Sequence, residues 1–587
     1  MKNVKFVLLA FLLVAAQAAF AQNGKIRGTT YDRSNGEPMW GVQVFVVGTE
    51  NGAAADFDGK FEISVAPGTY SVQAKFIGTV TVTIKDVIVK AGEVTLLDAI
   101  WMEEAASELE DIIVTAEAIR TTDIALLNVK KKSTNLIDGI SSQQIKRSGD
   151  SDVAGAIKRV PGVSIQGGQY VFVRGLGDRY TKTILNGVEV PGLDPDRNAI
   201  QIDIFPTSLI DNIIVYKNFT PNLSADFVGG TVNIETKEFP DERTMNLSFS
   251  LEYNPSMHLR NDFLGYQGGG TDFLGFDDGT RDLPFDGRTS DIPSPILRDA
   301  ATENITRSFN QTMATQQQSN FANMSLGFSI GDQLDWKGRK LGYIGAINYN
   351  STSTFFENAV DGASVKPTQD DEFALISDTR FQGALGIQDA QLSGLAGLSL
   401  KSDKNKFRFQ AMHIQNGTQR AAQRTRIRSN NNFNTSLVDN LEYTERFLTN
   451  FLIAGEHYFK GNESQLEWKV SPTFSTINDK DIRITPFTVD DGVVAINPQE
   501  GGEPNRIWRL LTEQNYVAKV DYSQNFAFRG RDSKFKVGIS NIYKTRDYEI
   551  QNYVTQIRGN QNLLDLDSDP DRLFADENIW TAERGTG

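Results

Sequence analysis

The stretch Thr244-Met245-Asn246-Leu247-Ser248-Phe249-Ser250-Leu251-Glu252-Tyr253 puts an apolar side chain at every second position from Met245 to Tyr253, with polar residues between them. Successive side chains of a strand point to opposite faces, so this run predicts a β-strand with one greasy and one wet face. The same alternation recurs at residues 324–330, 343–349, 516–522 and 535–543. It is also plain where Leu466, Trp468, Val470 and Phe474 alternate with polar neighbours, and noisier at 406–415, where the apolar residues change parity midway.

Short polar turns pair these strands at Lys337-Gly338-Arg339, residues 402–405, Gly461-Asn462 and residues 529–533, whereas long polar stretches at 255–320, 351–389, 417–449 and 477–509 read as loops. Short turns on one side and long loops on the other are the asymmetry of a transmembrane β-barrel, whose lipid-facing residues are diluted by alternation with polar ones. The composition agrees: glycine (50) far outnumbers proline (18), and 36 phenylalanines dominate the aromatics.

The first residues carry an address. Lys2 and Lys5 precede an apolar run over 6–16, and Ala19-Phe20-Ala21 follows, so residues 1–21 read as a secretory signal peptide. That run is shorter than the roughly 20 residues a spanning helix needs, and no later segment is both long and uncharged. With 59 basic and 74 acidic residues the net charge is −15, and removal of Lys2 and Lys5 takes it to −17. Nucleic acid is thereby excluded as a partner, since phosphate binding needs a basic face. The absence of cysteine excludes disulfides, thiol catalysis and lipoprotein attachment.

Residues 22–103 contain β-like runs at 41–47, 60–65, 69–76 and 80–89 separated by glycine, proline and aspartate turns, the spacing of a small immunoglobulin-like β-sandwich. The string from Ile26 through Gly28, Gly36-Glu37-Pro38, Gly48-Thr49, Asp56-Phe57-Asp58-Gly59 and Gly68-Thr69-Tyr70 resembles the carboxypeptidase-regulatory-like domain, an accessory module without peptidase chemistry. Asp56 and Asp58 read as a β-turn, because the later ligands of a calcium loop are missing. Residues 104–132 then read as an acidic, alanine-rich linker. Within it, Asp111-Ile112-Ile113-Val114-Thr115-Ala116 is a lone β-branched run with no neighbour to pair with, suited to donating a strand to another protein's sheet edge.

Residues 133–239 form an α+β unit. A short helix over 152–159, capped by Ser151 or Asp150, is stopped by Pro161-Gly162, and strands follow at 170–174, 183–185, 213–216 and 231–236. Asn186-Gly187 is a strong hairpin signal. In order, Val160-Pro161-Gly162-Val163, Val173-Arg174-Gly175, Leu185-Asn186-Gly187-Val188, Ile213-Ile214-Val215-Tyr216-Lys217 and Gly229-Gly230-Thr231-Val232-Asn233-Ile234 resemble the plug domain of TonB-dependent receptors, and the 111–116 segment resembles a TonB box. Gly229 and Gly230 fit a tight turn where the plug leads into the barrel wall.

Residues 240–587 are then the barrel. Roughly nine or ten strands are legible, whereas a plug of some hundred residues needs a lumen of about 22 strands, so the barrel is expected to be incomplete, with C-terminal strands missing.

The resemblance implies active transport across an outer membrane, gated by the plug. TonB with its inner-membrane motor proteins, outer-membrane lipid and an imported ligand are the implied partners, and the N-terminal domain is expected in the periplasm. Iron chelates, cobalamin, glycans and peptides all remain open as ligand. A lid lipoprotein is not supported, because Val173-Arg174-Gly175-Leu176-Gly177-Asp178-Arg179-Tyr180 is not the usual form of the importers that work beneath one. The candidate ligand contacts at the plug apex are Asp178, Arg179, Tyr180, Glu189, Asp194, Asp196 and Arg197, since binding concentrates in loops held by a rigid frame. Arg174 reads instead as an ion-pair partner of the wall, and Asp178 and Arg179 read equally either way. Gly175, Asn186, Gly187, Gly229 and Gly230 are structural.

No catalytic constellation, metal site or cofactor motif is present. His258, His413 and His457 are isolated in sequence, and Gly327-Phe328-Ser329-Ile330-Gly331 matches a nucleophile elbow only in letters, because Ser329 falls in the polar phase of an alternating strand. Acidic runs such as Asp277-Asp278 and Asp370-Asp371-Glu372 read as solvated loop charge. The rival readings are a passive porin or adhesion barrel, a receptor that also signals, and a secreted multidomain enzyme.

Overall fold

The computed structural model describes residues 23–103, apart from 34, 35, 50, 77 and 78, and residues 123–583, apart from 134, 178, 198, 225–228, 240–242, 289–291, 295–299, 367–372, 430–433, 460–463, 491, 492, 530, 559–565 and 582. The chain divides into two compact units, residues 1–114 and 115–587.

In the first unit, Gly24–Asp32, Lys60–Val65, Val94–Leu96 and Ile100–Met102 make one sheet, and Gln43–Val46, Gly52–Ala54, Gly68–Lys75 and Val82–Val89 the other. Strict alternation in Lys60–Val65 buries Phe61, Ile63 and Val65, which meet Val44, Val72, Val87 and Met102 in a common core. Each such side chain contributes about 1.5–3 kcal/mol relative to exposure. The Asp56 carboxylate accepts from the backbone N–H groups of Asp58 (3.0 Å) and Lys60 (2.8 Å), and Gly59 takes φ +73°, so the acidic pair builds a turn.

The second unit holds the plug and the wall. The plug sheet runs Val188–Glu189, Thr181–Leu185, Gly230–Thr236, Ile210–Tyr216, Ile137–Ser141. At Asn186-Gly187 both residues have positive φ (52° and 81°), as a type I′ hairpin requires. The short helix is Val153–Ile157, and its cap is Asp152, which accepts from Gly155 N at 2.8 Å; Asp150 instead pairs with Arg159 at 2.8 Å. Gly230 opens the strand Gly230–Thr236 of the plug sheet, and residues 225–228 just before Gly229 lie outside the described residues. A Cβ on Gly230 would lie 2.7 Å from Val173 and 2.9 Å from the Tyr216 carbonyl, so glycine is needed there for close packing inside the plug. The last ten residues of the expected linker form a helix, Asp123–Lys132, whose Asp123 accepts from Ser141 and Arg147; tertiary partners order a stretch that looks featureless in sequence.

The wall is an antiparallel ten-stranded sheet whose main path runs from Thr244–Glu252 through Asn323–Trp336, Arg339–Val365, Ile376–Lys401, Asn405–Arg428, Asn434–Phe459, Ser464–Asp490 and Asn505–Phe528 to Arg531–Val554. Among the described residues its first and last strands remain edges, and the barrel is not closed. Three of the four expected loops are largely strand: residues 351–365 and 376–389, 417–428 and 434–449, and 477–490 and 505–509 continue the ladders. About 9–11 residues suffice to cross a bilayer. Beyond that length the outward side chains meet other parts of the chain, as Phe355, Ala421 and Leu441 meet Phe263, Leu264 and Tyr266, so the alternation fades although the hydrogen bonding goes on.

The described part of the expected loop at 255–320 is also structured. In Asn405–Arg428, Met412 and Ile414 join the plug core, whereas Gln415 and Gln419 donate to the carbonyls of Gly275 (2.6 Å) and Tyr266 (3.2 Å). Opposite parity means opposite faces, so residues 263–281 form a collar on the side of the wall away from the plug. Arg281, fully buried between Asp272 (2.6 Å) and Asp277 (2.8 Å) and stacked 4.1 Å from the Tyr443 ring, pins it there.

Candidate functional site

The plug core seats against the inner face of the wall. Val153, Ile157, Phe205 and Ile213 of the plug share one cluster with Ala346, Leu395, Met412, Ile414 and Leu448 of the wall. Around this apolar contact lies a ring of polar ties. Asn186 Nδ2 donates to Thr236 Oγ1 (2.9 Å) and to Gln410 Oε1 (3.2 Å), and Gln391 Nε2 donates to the Ile204 carbonyl (2.8 Å). Lys469 reaches the Asn186 carbonyl (3.2 Å), and Asn515 the Glu189 carbonyl (3.2 Å). Near the short-turn end, Glu238 is paired with Lys406 (3.2 Å) and Arg408.

Toward the long-loop end, a cavity of about 330 Å³ opens between plug and wall, bordered by Asp194, Asp196 and Gln201 on one side and Arg420, Arg446 and Arg509 on the other. Arg446 is buried and donates to Asn416 Oδ1 (2.8 Å), Gln201 Oε1 (2.7 Å) and Asp203 Oδ2 (3.1 Å). Gln169 Nε2 adds a second donor to Asp203 at 3.1 Å. The Tyr170 hydroxyl donates to the Asp194 carboxylate and accepts from Gln201 Nε2 (3.0 Å), while the Arg197 guanidinium lies 4.4 Å over its ring. Burial, then the hydrogen bond to Asp194, push the phenol up to about 12, so it stays a donor. Arg546 donates to the Asp194 carbonyl, and Arg509 pairs with Asp479 at 2.8 Å. Carboxylates, guanidinium groups and amides converge here on a space that suits a polar ligand held by charge-assisted hydrogen bonds.

Asp194 and Asp196 border this cavity, and Arg197 supports it through Tyr170. Glu189 is half-buried and paired with Lys182 at 2.8 Å. Arg179 and Tyr180 are exposed and do not border the cavity. Arg174 is also exposed; it opens a tight turn with Gly175 (φ +56° and +76°) and has no ion pair to a described wall residue. Asp178 and the whole of 111–116 lie outside the described residues. Ser329 sits in mid-strand, opposite Asn246 and Ala346. Sequence reading missed Arg446, Gln201, Asp203 and Tyr170. Arg446 stands in a stretch read as loop, and its one signal, a lone arginine at even parity with the inward-facing Leu448 and Asn450, needs the strand to be known first.

Residues 129–231 match the TonB-dependent receptor plug domain, and residues 25–101 the carboxypeptidase regulatory-like domain. TonB-dependent receptor P3 of Formosa agariphila is 29% identical over 146 residues, which are 24% of this chain and 14% of that protein. The iron-regulated outer membrane virulence protein of Vibrio cholerae is 26% identical over 158 residues, 25% of this chain and 24% of that protein. The matched stretches thus span less than a quarter of the length of these two relatives. Among solved structures, the unliganded ferric citrate transporter FecA aligns with 73% of this chain and 62% of its own at 11% identity and a TM-score of 0.30. The ferric yersiniabactin uptake receptor FyuA of Yersinia pestis aligns with 74% and 62% at 8% identity and a TM-score of 0.33. A regulatory-like sandwich, a plug domain of the kind found in TonB-dependent receptors and an antiparallel wall packed against that plug make up this chain.

Proposed function

We propose that the protein works in TonB-dependent active transport of a scarce, bulky ligand across a bacterial outer membrane, with the short-turn end and the N-terminal sandwich in the periplasm. The ligand enters from the long-loop side and is held by the cavity between plug and wall. The observation that carries this reading is Arg446, which borders the cavity and also ties the wall to Gln201 and Asp203 of the plug. A polar ligand that competes for its guanidinium loosens the plug at the point of capture. Residues 111–116 then pair as an added strand with TonB, whose motor proteins draw on the inner-membrane proton-motive force, because main-chain pairing gives affinity with little demand on side chains.

The test is deletion of residues 111–116, with ligand binding to whole cells and uptake measured separately. Transport should be lost while binding is retained. Unchanged uptake would point to a passive porin or adhesion barrel.

A further inference from the structure

The collar bears on the membrane itself, an inference that rests on the outer-membrane reading above. Below the collar the outward side chains are apolar and open, among them Leu247, Phe249, Ile347, Leu398 and Phe409. From Arg339, beside the Lys337-Gly338 turn, to Tyr349 is about ten residues; at roughly 3.3 Å each, on strands inclined about 40°, the climb is about 25 Å, the height of the apolar band on such barrels. The collar begins at that level, for the Tyr349 hydroxyl donates to the Phe273 carbonyl at 2.7 Å.

Phe273 is 62% exposed there, pointing away from a segment otherwise fastened by buried groups. Somewhat higher, where His258 Nε2 lies 3.0 Å from the Ser353 carbonyl, Leu259 is 59% exposed with φ +57°. A left-handed leucine is uncommon and strained. It is held in that state by Asn320, which accepts from Arg260 N at 3.0 Å and donates to the Met257 carbonyl at 2.5 Å. In water, this arrangement spends strain to display an apolar side chain; against lipid, both residues prolong the greasy belt into the interface.

We propose that residues 257–276 rest on the outer leaflet, with Phe273 at the boundary of acyl chains and headgroups and Leu259 among the headgroups. The occupant is the lipid surface, because the patch continues the outward belt at the height where hydrocarbon ends.

The chain has no cysteine, so single substitutions give single labels. Spin labels on Phe273→Cys, Leu398→Cys and Phe57→Cys in the full chain, reconstituted into phosphatidylethanolamine–phosphatidylglycerol vesicles, would be probed with oxygen and with a water-soluble nickel chelate. Leu398 lies within the belt, and Phe57, 85% exposed on the sandwich, reports water. The expected result is a depth for position 273 between the two, with several-fold less nickel contact than position 57. Nickel contact at 273 equal to that at 57, with 398 in hydrocarbon, overturns the collar proposal and leaves the barrel standing. Shielding of 273 from both probes marks a protein cover and overturns it too. Nickel contact at 398 as high as at 57 sinks the barrel reading itself.

Discussion

Arg446 of the wall and Gln201 of the plug meet through a 2.7 Å hydrogen bond inside the cavity, and the same guanidinium nitrogen reaches Asp203 at 3.1 Å. One buried cation thus joins cavity, wall and plug.

Arg446→Ala removes both ties and leaves the Asp203 carboxylate short of a counter-charge. Hydrogen bonds to charged groups are worth about 1.5–3 kcal/mol each, so loss of the two should weaken the seating of the plug by about 3–6 kcal/mol. Denaturant titration of the detergent-solubilised chain, followed by proteolysis of the plug, measures this. A midpoint equal to that of the parent would contradict the role given to Arg446.

Gly230→Ala tests the close packing inside the plug. Its Cβ would meet Val173 at 2.7 Å and the Tyr216 carbonyl at 2.9 Å, and the carbonyl cannot swing away without breaking the sheet. Overpacking of this kind costs about 1–3 kcal/mol. Gly175→Ala is the comparison: among the described residues no atom lies within 4 Å of its Cβ, so the loss expected there arises from φ +76°.

Asp211, at a bulge in Ile210–Tyr216, supplies a pH dependence. Burial pushes its carboxyl up to about 7, against the Glu238 N–H that donates to it at 3.3 Å. The folded form therefore keeps a proton that the unfolded chain releases near pH 4, so plug stability falls as pH rises from about 4 to about 7. Asp211→Asn should flatten that slope and make the plug more stable than the parent at pH 8. An unchanged slope in pH-dependent unfolding would show that Asp211 is ionised in the fold.

Local chemistry was readable where a short stretch carries its whole reason. Asn186-Gly187 specifies its turn because both residues tolerate positive φ, and 245–253 specifies a half-greasy strand by parity alone. The upper strands were hidden because their side chains, among them Phe355, Ala421 and Leu441, are buried against Phe263, Leu264 and Tyr266 from a distant stretch, a contact that leaves no regular mark on the local side-chain pattern. The cap of Val153–Ile157 falls one or two residues beyond the expected Asp150 or Ser151, and the ten-residue helix Asp123–Lys132 was hidden altogether, because the partners that order it, Ser141 and Arg147, come from later in the chain.

By itself, then, the sequence determined the order of sandwich, plug and wall, the alternating belt and the type I′ turn, since each depends on neighbours within about ten residues. Tertiary structure alone decided that Arg446 meets Gln201, that Asp194 and Asp196 border a cavity while Arg179 and Tyr180 do not, and that 263–281 folds against the outer face. These pairings join residues hundreds of positions apart, and what selects them is the burial of charge and shape on assembly, which no local pattern encodes.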